Sequence, residues 1–256
     1  MSYFILPRIK LPPIHKIPKF DPTISPLFLY FSVHECPNQS VPLRILKSLF
    51  LHFSHPVPHK KIKLNRNSNV VIEAIKPIIH EDSFPIKRLY VIIRDANDPV
   101  LQNEVLKTSV CVSLRLFNTV PEGNTRTLLC ELPNQQIHVS EGYLNEADLL
   151  FIAKHWMRTG QRTGKQLSVQ GPRGPNNFEK TLDHLKANIP GAEETTLKID
   201  NITEAKRAIS IPLVSSNELN IFVTDTPKSE IKTNTHAMPQ MIVIKVMPTG
   251  TARNEG

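Results

Sequence analysis

Two histidine–serine pairs are the residues of this chain whose types and spacing come closest to a catalytic pattern. They are His52-Phe-Ser54 and His138-Val-Ser140. Two histidines that face each other across a cleft can act as acid and base in phosphoester cleavage. Pro56 and Pro58 follow the first pair and oppose the strand that this arrangement needs. A two-histidine phosphoesterase is therefore kept as a remote alternative.

The segment Gly160-Gln-Arg-Thr-Gly-Lys165 is the next pattern that could handle phosphate, because glycines followed by lysine also build nucleotide-binding loops. Its spacing is one residue short, Gln166 occupies the position of the magnesium-binding Ser or Thr, and no buried strand is predicted before it. No nucleophile elbow, HExxH motif or metal-spaced carboxylate set occurs elsewhere. The sequence therefore predicts no enzyme, no cofactor and no metal site.

Positive charge is concentrated in two parts of the chain. The formal net charge is +8, and residues 1–69 contain ten Lys and Arg but two acidic residues. No acidic residue lies between Asp148 and Glu179, and Trp156 could support a base there. Such stretches suit nucleic acid or an anionic membrane, and a solvated surface is the alternative. The residues predicted to contact nucleic-acid phosphates are Lys60, Lys61, Lys63, Arg66, Lys154, Arg158, Arg162, Lys165 and Arg173.

Cysteine usage and hydropathy bear on the compartment. Cys36, Cys111 and Cys130 are far apart, so neither a disulfide framework nor a zinc site is indicated. No apolar run reaches the roughly 18 residues of a membrane span, and prolines interrupt any signal-peptide core near the N-terminus. We expect a protein of a reducing compartment that is not secreted and has no transmembrane helix.

The hydrophobic pattern predicts a mainly β fold with a few short helices. The 22 Pro against 9 Gly oppose a helical bundle, because proline suits edges, turns and extended segments. Apolar runs and alternation predict strands at residues 70–75, 89–95, 110–116 and 127–132. A helix around residues 149–156 follows, with Asn145 as its N-cap and Gly160 as its stop.

Composition divides the chain into three predicted parts. These are a basic Pro-rich N-terminal arm (1–68), a β-rich core (69–170) and a C-terminal α+β extension (171–256) that begins at a Gly/Pro-rich segment. Within the arm, residues 43–53 have the pattern of a short basic amphipathic helix. That helix either docks on the core or makes a peripheral contact with a membrane.

The core also shows an ordered set of motifs. An apolar strand ends at Pro77, a second strand ends at Asp95, and a variable strand pair follows. Pro133-Asn134 then opens a strand, and an amphipathic segment leads to Leu167-Ser168. In order and rough spacing this core resembles the 30K superfamily of plant-virus movement proteins over about 100 residues. The family usually has a glycine where Ile86 precedes the second strand.

The resemblance implies a fold and a function. The fold is a single jelly-roll-like β-sandwich, and Asp95 is a structural motif residue. The function is to bind the viral genome as single-stranded nucleic acid, without sequence preference, and to carry it from cell to cell. The protein would act in the host cytoplasm and at plasmodesmata, with host plasmodesmal proteins as partners, and a homo-oligomer is left open.

Two further classes of protein fit the same composition. A viral matrix-like or nucleocapsid-associated protein would use the basic charge and residues 43–53 to bind an anionic membrane. A cellular scaffold would use neither nucleic acid nor lipid. Binding to single-stranded RNA across a salt series separates these readings.

Overall fold

The computed structural model describes residues 28–31, 61–64, 69, 72–73, 76, 84–95, 97–116, 124–141, 144–170, 177–200, 203–214, 216–227 and 239–253. The strands are β1 (Phe28–Phe31), β2 (Lys61–Leu64), β3 (Arg88–Ile93), β4 (Cys111–Leu116), β5 (Gln136–Glu141), β6 (Gln166–Gln170), β7 (Glu193–Asp200), β8 (Thr203–Pro212), β9 (Asn217–Asp225), β10 (Gln240–Pro248) and β11 (Ala252–Arg253). The helices are α1 (Glu104–Thr108), α2 (Asn124–Glu131), α3 (Glu146–Thr159) and α4 (Asn177–Asn188), with a 3-10 helix at Pro99–Gln102.

All of these strands belong to one 11-stranded sheet with two halves. The first half runs β1 to β6 in chain order, and every neighbouring pair is parallel. The second half continues β10, β9, β8, β7 and β11, and its pairs are antiparallel. Parallel strands that follow one another in chain order need a crossover between each pair, because both strands run in the same direction.

The helices and the sheet share one core. Leu89, Val91 and Ile93 of β3 alternate into it, as the period of a strand requires. Leu149 and Trp156 of α3 pack into the same cluster, as do residues of the other helices and of β8 to β10. The helices therefore cover one face of the sheet, and the odd and even residues of each strand face different surroundings.

The opposite face of the parallel half is more polar. Tyr90, Ser113, His138 and Ser168 are cross-strand neighbours there, one from each of β3 to β6. Beside them, the antiparallel half contributes a second and smaller apolar cluster. Its members are Leu197, Ala208, Phe222, Met241, Val243 and Met247.

The fold is mainly β, as predicted, but the jelly-roll-like sandwich is not confirmed. A jelly-roll packs two antiparallel sheets, whereas the described strands form one mixed sheet that helices cover. Two predicted strands are wrong. Residues 124–131 form α2, in which Thr125 and Leu129 are buried four residues apart, and Ile72 and Glu73 are helical. The predicted helix around residues 149–156 is confirmed as part of α3.

Arg207 of β8 joins α4 to the antiparallel half of the sheet. Its guanidinium donates to Glu194 of β7 at 2.7 Å and to Glu179 of α4 at 2.7 Å, and it also pairs with Asp183. Lys186 reaches Glu194 at 2.7 Å as well. Hydrogen bonds from Arg207 and Lys186 lower the pKa of the Glu194 carboxyl to about 2.

We expect Arg207→Met to destabilise the fold by about 1 kcal/mol near neutral pH, since three carboxylates lose their shared cation. The pKa of Glu194 is about 2 in the fold against an ordinary 4.5, so its stabilisation is present above pH 4.5 and is lost as the pH falls towards 2. Urea unfolding should therefore show the deficit of Arg207→Met shrinking over that window. Lys186→Met, which removes one contact, should cost less, and equal stability of wild type and Arg207→Met at neutral pH would contradict the role assigned to Arg207.

Candidate nucleic-acid interface

Helix α3 has well-defined ends, which determine where its side chains lie. At its start the Asn145 side chain accepts from the Asp148 N–H at 2.9 Å, and the Asp148 carboxylate accepts from the Asn145 N–H at 3.2 Å. This reciprocal capping box satisfies two backbone donors that the helix leaves free. At its end Gly160 has φ 66, the left-handed conformation that favours glycine.

The outer face of α3 carries the basic residues. Leu149, Ile152 and Trp156 point into the core, so the residues on the other side of the helix face solvent. Lys154 and Arg158 are exposed there, and Arg162 is exposed in the loop after the helix. We call Lys154, Arg158 and Arg162 the α3 basic surface. Three exposed cations within nine residues can contact the phosphates of one polyanionic chain.

Local contacts hold parts of this surface in place. The Arg158 Nε donates to the Lys154 carbonyl at 3.3 Å, and an Arg162 Nη2 donates to the Pro133 carbonyl at 3.5 Å. Arg158 also lies in the last turn of α3, where the helix dipole favours a positive charge. The guanidinium groups keep further N–H donors for a ligand, because each has five.

Lys165 was predicted to contact phosphate, and this prediction is wrong because the side chain is buried. Its relative exposure is 3%, and its Nζ donates to the carbonyls of Leu132 at 2.6 Å and Asn134 at 2.7 Å. The Nζ also lies 5.6 Å from the centroid of the buried Trp156 ring. A buried amine that satisfies two carbonyls pins the loop after α2 to the loop after α3, and it is not presented to a ligand.

The environment of Lys165 also affects its titration. Burial lowers the pKa of Lys165 to about 8, and the charge of Arg162 adds to that effect. The neighbouring Cys130 is buried, and burial raises the pKa of its thiol to about 11. A thiol with that pKa stays protonated at neutral pH, so it is a poor nucleophile and metal ligand.

Trp156 does not provide an aromatic surface for bases, because it is fully buried at 0% exposure. The exposed side of α3 has a different aromatic feature that the sequence analysis missed. The Phe151 and His155 rings are half-buried and stack with centroids 6.4 Å apart and an interplanar angle of 21°. The Arg126 guanidinium of α2 lies 4.6 Å from the Phe151 ring centroid. The available signal was an aromatic pair four residues apart on one helix, a spacing at which side chains meet.

The remaining predicted contacts are described in part. Lys61 and Lys63 belong to β2, whereas Lys60, Arg66 and Arg173 fall outside the described residues. The predicted amphipathic helix at residues 43–53 also lies outside them. The phosphate contacts of these five residues therefore stay predictions. No helix of the described ranges is long and apolar enough to cross a bilayer.

Asp95 follows the end of β3 and its carboxylate accepts from the Asn97 N–H at 2.8 Å. A contact of this kind forms a turn. It is consistent with the structural role expected for Asp95, and the contact brings no catalytic partner to the carboxylate.

The histidine–serine pattern leads to a different contact from the one expected. The His138 Nδ1 lies 3.0 Å from the Oγ of Ser168, its cross-strand neighbour on β6, and both residues are buried. Ser140 instead donates to the Leu114 carbonyl at 3.1 Å. His52 is outside the described residues, so the two-histidine cleft is untested. The described part of the chain holds no cluster of three or more His, Cys, Asp and Glu that could bind a metal.

Residues 34–172 match the model of a family described as a domain of unknown function, DUF3557. The chain belongs to the DUF3557 family. The DUF3557 span includes β2 to β6 and the whole of α3, and it ends before α4 and the antiparallel half. The α3 basic surface therefore lies inside the DUF3557 part of the chain. No curated protein and no solved structure matches the chain. The DUF3557 match does not name the 30K superfamily, so that resemblance stays a prediction.

Lys165→Met should cost about 1–3 kcal/mol, because two buried carbonyls of this DUF3557 chain lose their donor. The pKa of Lys165 is about 8 in the fold against 10.5 ordinarily, so the unfolded chain binds more protons between these values. The stabilisation from Lys165 therefore rises with pH over this window. Urea unfolding near pH 7.5 and near pH 10 should show a larger deficit at the higher pH.

Lys154→Met is the matched control for that measurement, since Lys154 is exposed and should change stability little. A deficit of Lys165→Met that stays constant or shrinks as the pH rises would show that the protein does not hold Lys165 in the way the contacts indicate.

Proposed function

We propose that this DUF3557 protein is a non-enzymatic binding protein that holds single-stranded nucleic acid, without sequence preference, on the outer face of α3. The observation that carries the proposal is the exposure of Lys154, Arg158 and Arg162 on one side of α3 and in the loop that follows it. These cations can neutralise phosphates, and phosphate contacts position a nucleic acid without reading its bases.

The charge of the surroundings supports an anionic ligand. From Leu149 to Phe178 the chain has no acidic residue, so α3 beyond its first turn and the following loop are free of local negative charge. On α4, the carboxylates of Glu179 and Asp183 are paired with Arg207. A cationic surface with few competing carboxylates attracts a polyanion over the range of the Debye length, about 10 Å at 0.1 M salt.

The biological setting is a prediction that rests on the 30K resemblance. In that setting the nucleic acid is a viral genome, and the protein carries it through plasmodesmata with the help of host proteins. The matrix-like alternative would place the same basic surface on an anionic membrane. The two ligands share negatively charged phosphates, so the first experiment has to include both.

The test is binding of the purified full-length chain to two labelled single-stranded RNAs of unrelated sequence over a salt series. We expect equal affinities and a log–log slope of roughly −2 or steeper, since three or more phosphates at about 0.7 each are neutralised. Vesicles that contain an anionic lipid form a parallel arm. Preferential vesicle binding with no RNA binding at low salt would overturn the proposal in favour of the membrane reading.

The double variant Arg158→Gln/Arg162→Gln should reduce the magnitude of that slope by about 1.4 and weaken binding at 0.1 M salt roughly 10- to 30-fold, for both RNAs alike. The matched control is Lys76→Gln/Lys180→Gln, which removes the same charge at two exposed lysines outside α3. A further variant neutralises the predicted N-terminal cluster of Lys60, Lys61, Lys63 and Arg66. Equal loss in the test and control doubles would indicate that net charge, rather than the α3 surface, drives binding.

A further inference from the structure

We infer that the α3 surface binds unpaired bases as well as phosphates, and that the stacked rings of Phe151 and His155 are the platform for a base. This inference rests on the proposed function of the same surface and adds the chemical class that it selects. The ligand is nucleic acid with accessible base faces, in preference to a duplex or another polyanion.

Phe151 lies at the border between the buried and the exposed sides of α3, because its half-buried ring packs against the edge of the core. Lys154 and Arg158 are three and seven positions further on, so helical geometry places these two exposed cations beside it. The Arg126 guanidinium lies over the Phe151 ring, and the His155 ring that stacks on Phe151 is half-buried. An aromatic pair therefore lies directly beside two exposed cations.

The pair has the orientation that a stacked base would extend. The interplanar angle of 21° makes the two rings nearly parallel, and parallel offset rings present a flat surface to a further aromatic system. Every nucleobase has a π face, so stacking on such a platform does not depend on sequence. The site can therefore contact bases and still lack sequence preference.

A chain of contacts fixes this platform before any ligand arrives. The Arg126 guanidinium lies over the Phe151 ring at 4.6 Å, and an Arg126 Nη1 is 3.9 Å from an Asp148 carboxylate oxygen. Asp148 is in turn held by the capping box with Asn145. A platform that is already ordered loses less conformational entropy on binding than a free side chain would.

The distinction from a duplex follows from access to the bases. In a duplex the base faces are stacked on one another inside the helix, so a protein platform can reach them only at ends, bulges or loops. A duplex can therefore use the cations of α3 but not Phe151 and His155. A lipid headgroup or a heparin-like polyanion also lacks a base face. Its affinity for the protein would therefore not change when the Phe151 ring is lost.

The test uses the full-length chain and two single-stranded DNA probes of equal length, oligo-dT and the same backbone with abasic sites. Wild type should bind oligo-dT roughly tenfold or more tightly than the abasic probe, the ratio expected for one or more stacked bases. In Phe151→Leu the affinity for oligo-dT should fall close to that for the abasic probe. The affinity for the abasic probe and the salt slope should stay unchanged. Phe151→Tyr, which keeps the ring, should retain the ratio.

Phe84→Leu is the matched control, because Phe84 is another half-buried phenylalanine packed against the core. It should keep the wild-type preference for oligo-dT. If Phe151→Leu does not fold, His155→Leu provides the comparison, since it removes the other ring of the stacked pair and should lower the ratio.

The outcomes separate the two proposals. Equal binding of oligo-dT and the abasic probe by wild type would overturn the stacking inference and leave the proposed phosphate contacts standing. No binding of either probe at low salt would remove the proposed function, and the inference with it. A preference for oligo-dT that Phe151→Leu retains would place the base contact elsewhere and would also overturn the inference.

Discussion

Parallel pairing of neighbouring strands is the constraint on which the rest of this structure depends. Two parallel strands start at the same end of a sheet, so the chain must cross back between them, and the crossover needs room above one face. From β3 to β6 every crossover contains helix, and the helices share a core with one face of the sheet. The outer side of α3 is exposed as a direct consequence, because the inner side is already used for packing.

The same packing explains why a basic residue in the sequence is not always exposed on the surface, as Lys165 shows. Lys165 lies immediately before Gln166, the first residue of β6, and its amine reaches the loop after α2. There its amine donates hydrogen bonds to two carbonyls, one of which belongs to Asn134. The Asn134 side chain in turn donates to the carbonyls of Leu106 and Ser109, each at 2.7 Å, at the end of α1. Lys165 therefore holds the loop after α2, and that loop in turn holds the end of α1.

Sequence patterns predicted those elements whose signals are local. Asn145, the apolar stripe of Leu149, Ile152 and Trp156, and Gly160 together specify α3 from its cap to its stop, and the helix has those limits. Helix α2 was missed because its eight residues are too few for helical periodicity to stand out from that of a strand. The division into one parallel and one antiparallel half depends on pairings between distant residues, which no local pattern encodes.

The candidate interface shows the same division between local and non-local information. Lys154 and Arg158 could be identified because charge on the polar side of a helix is a local property. The role that we propose for Phe151 depends on Arg126, which comes from a different helix, so the stack of guanidinium and rings could be recognised only in the folded chain. The binding role that we propose needs only exposed cations for phosphates and aromatic rings for bases, and it requires no proton transfer. His138 and Ser168 lie on the opposite face of the sheet from α3, so an acid–base pair built on them would act on a different ligand from the one that we propose for α3.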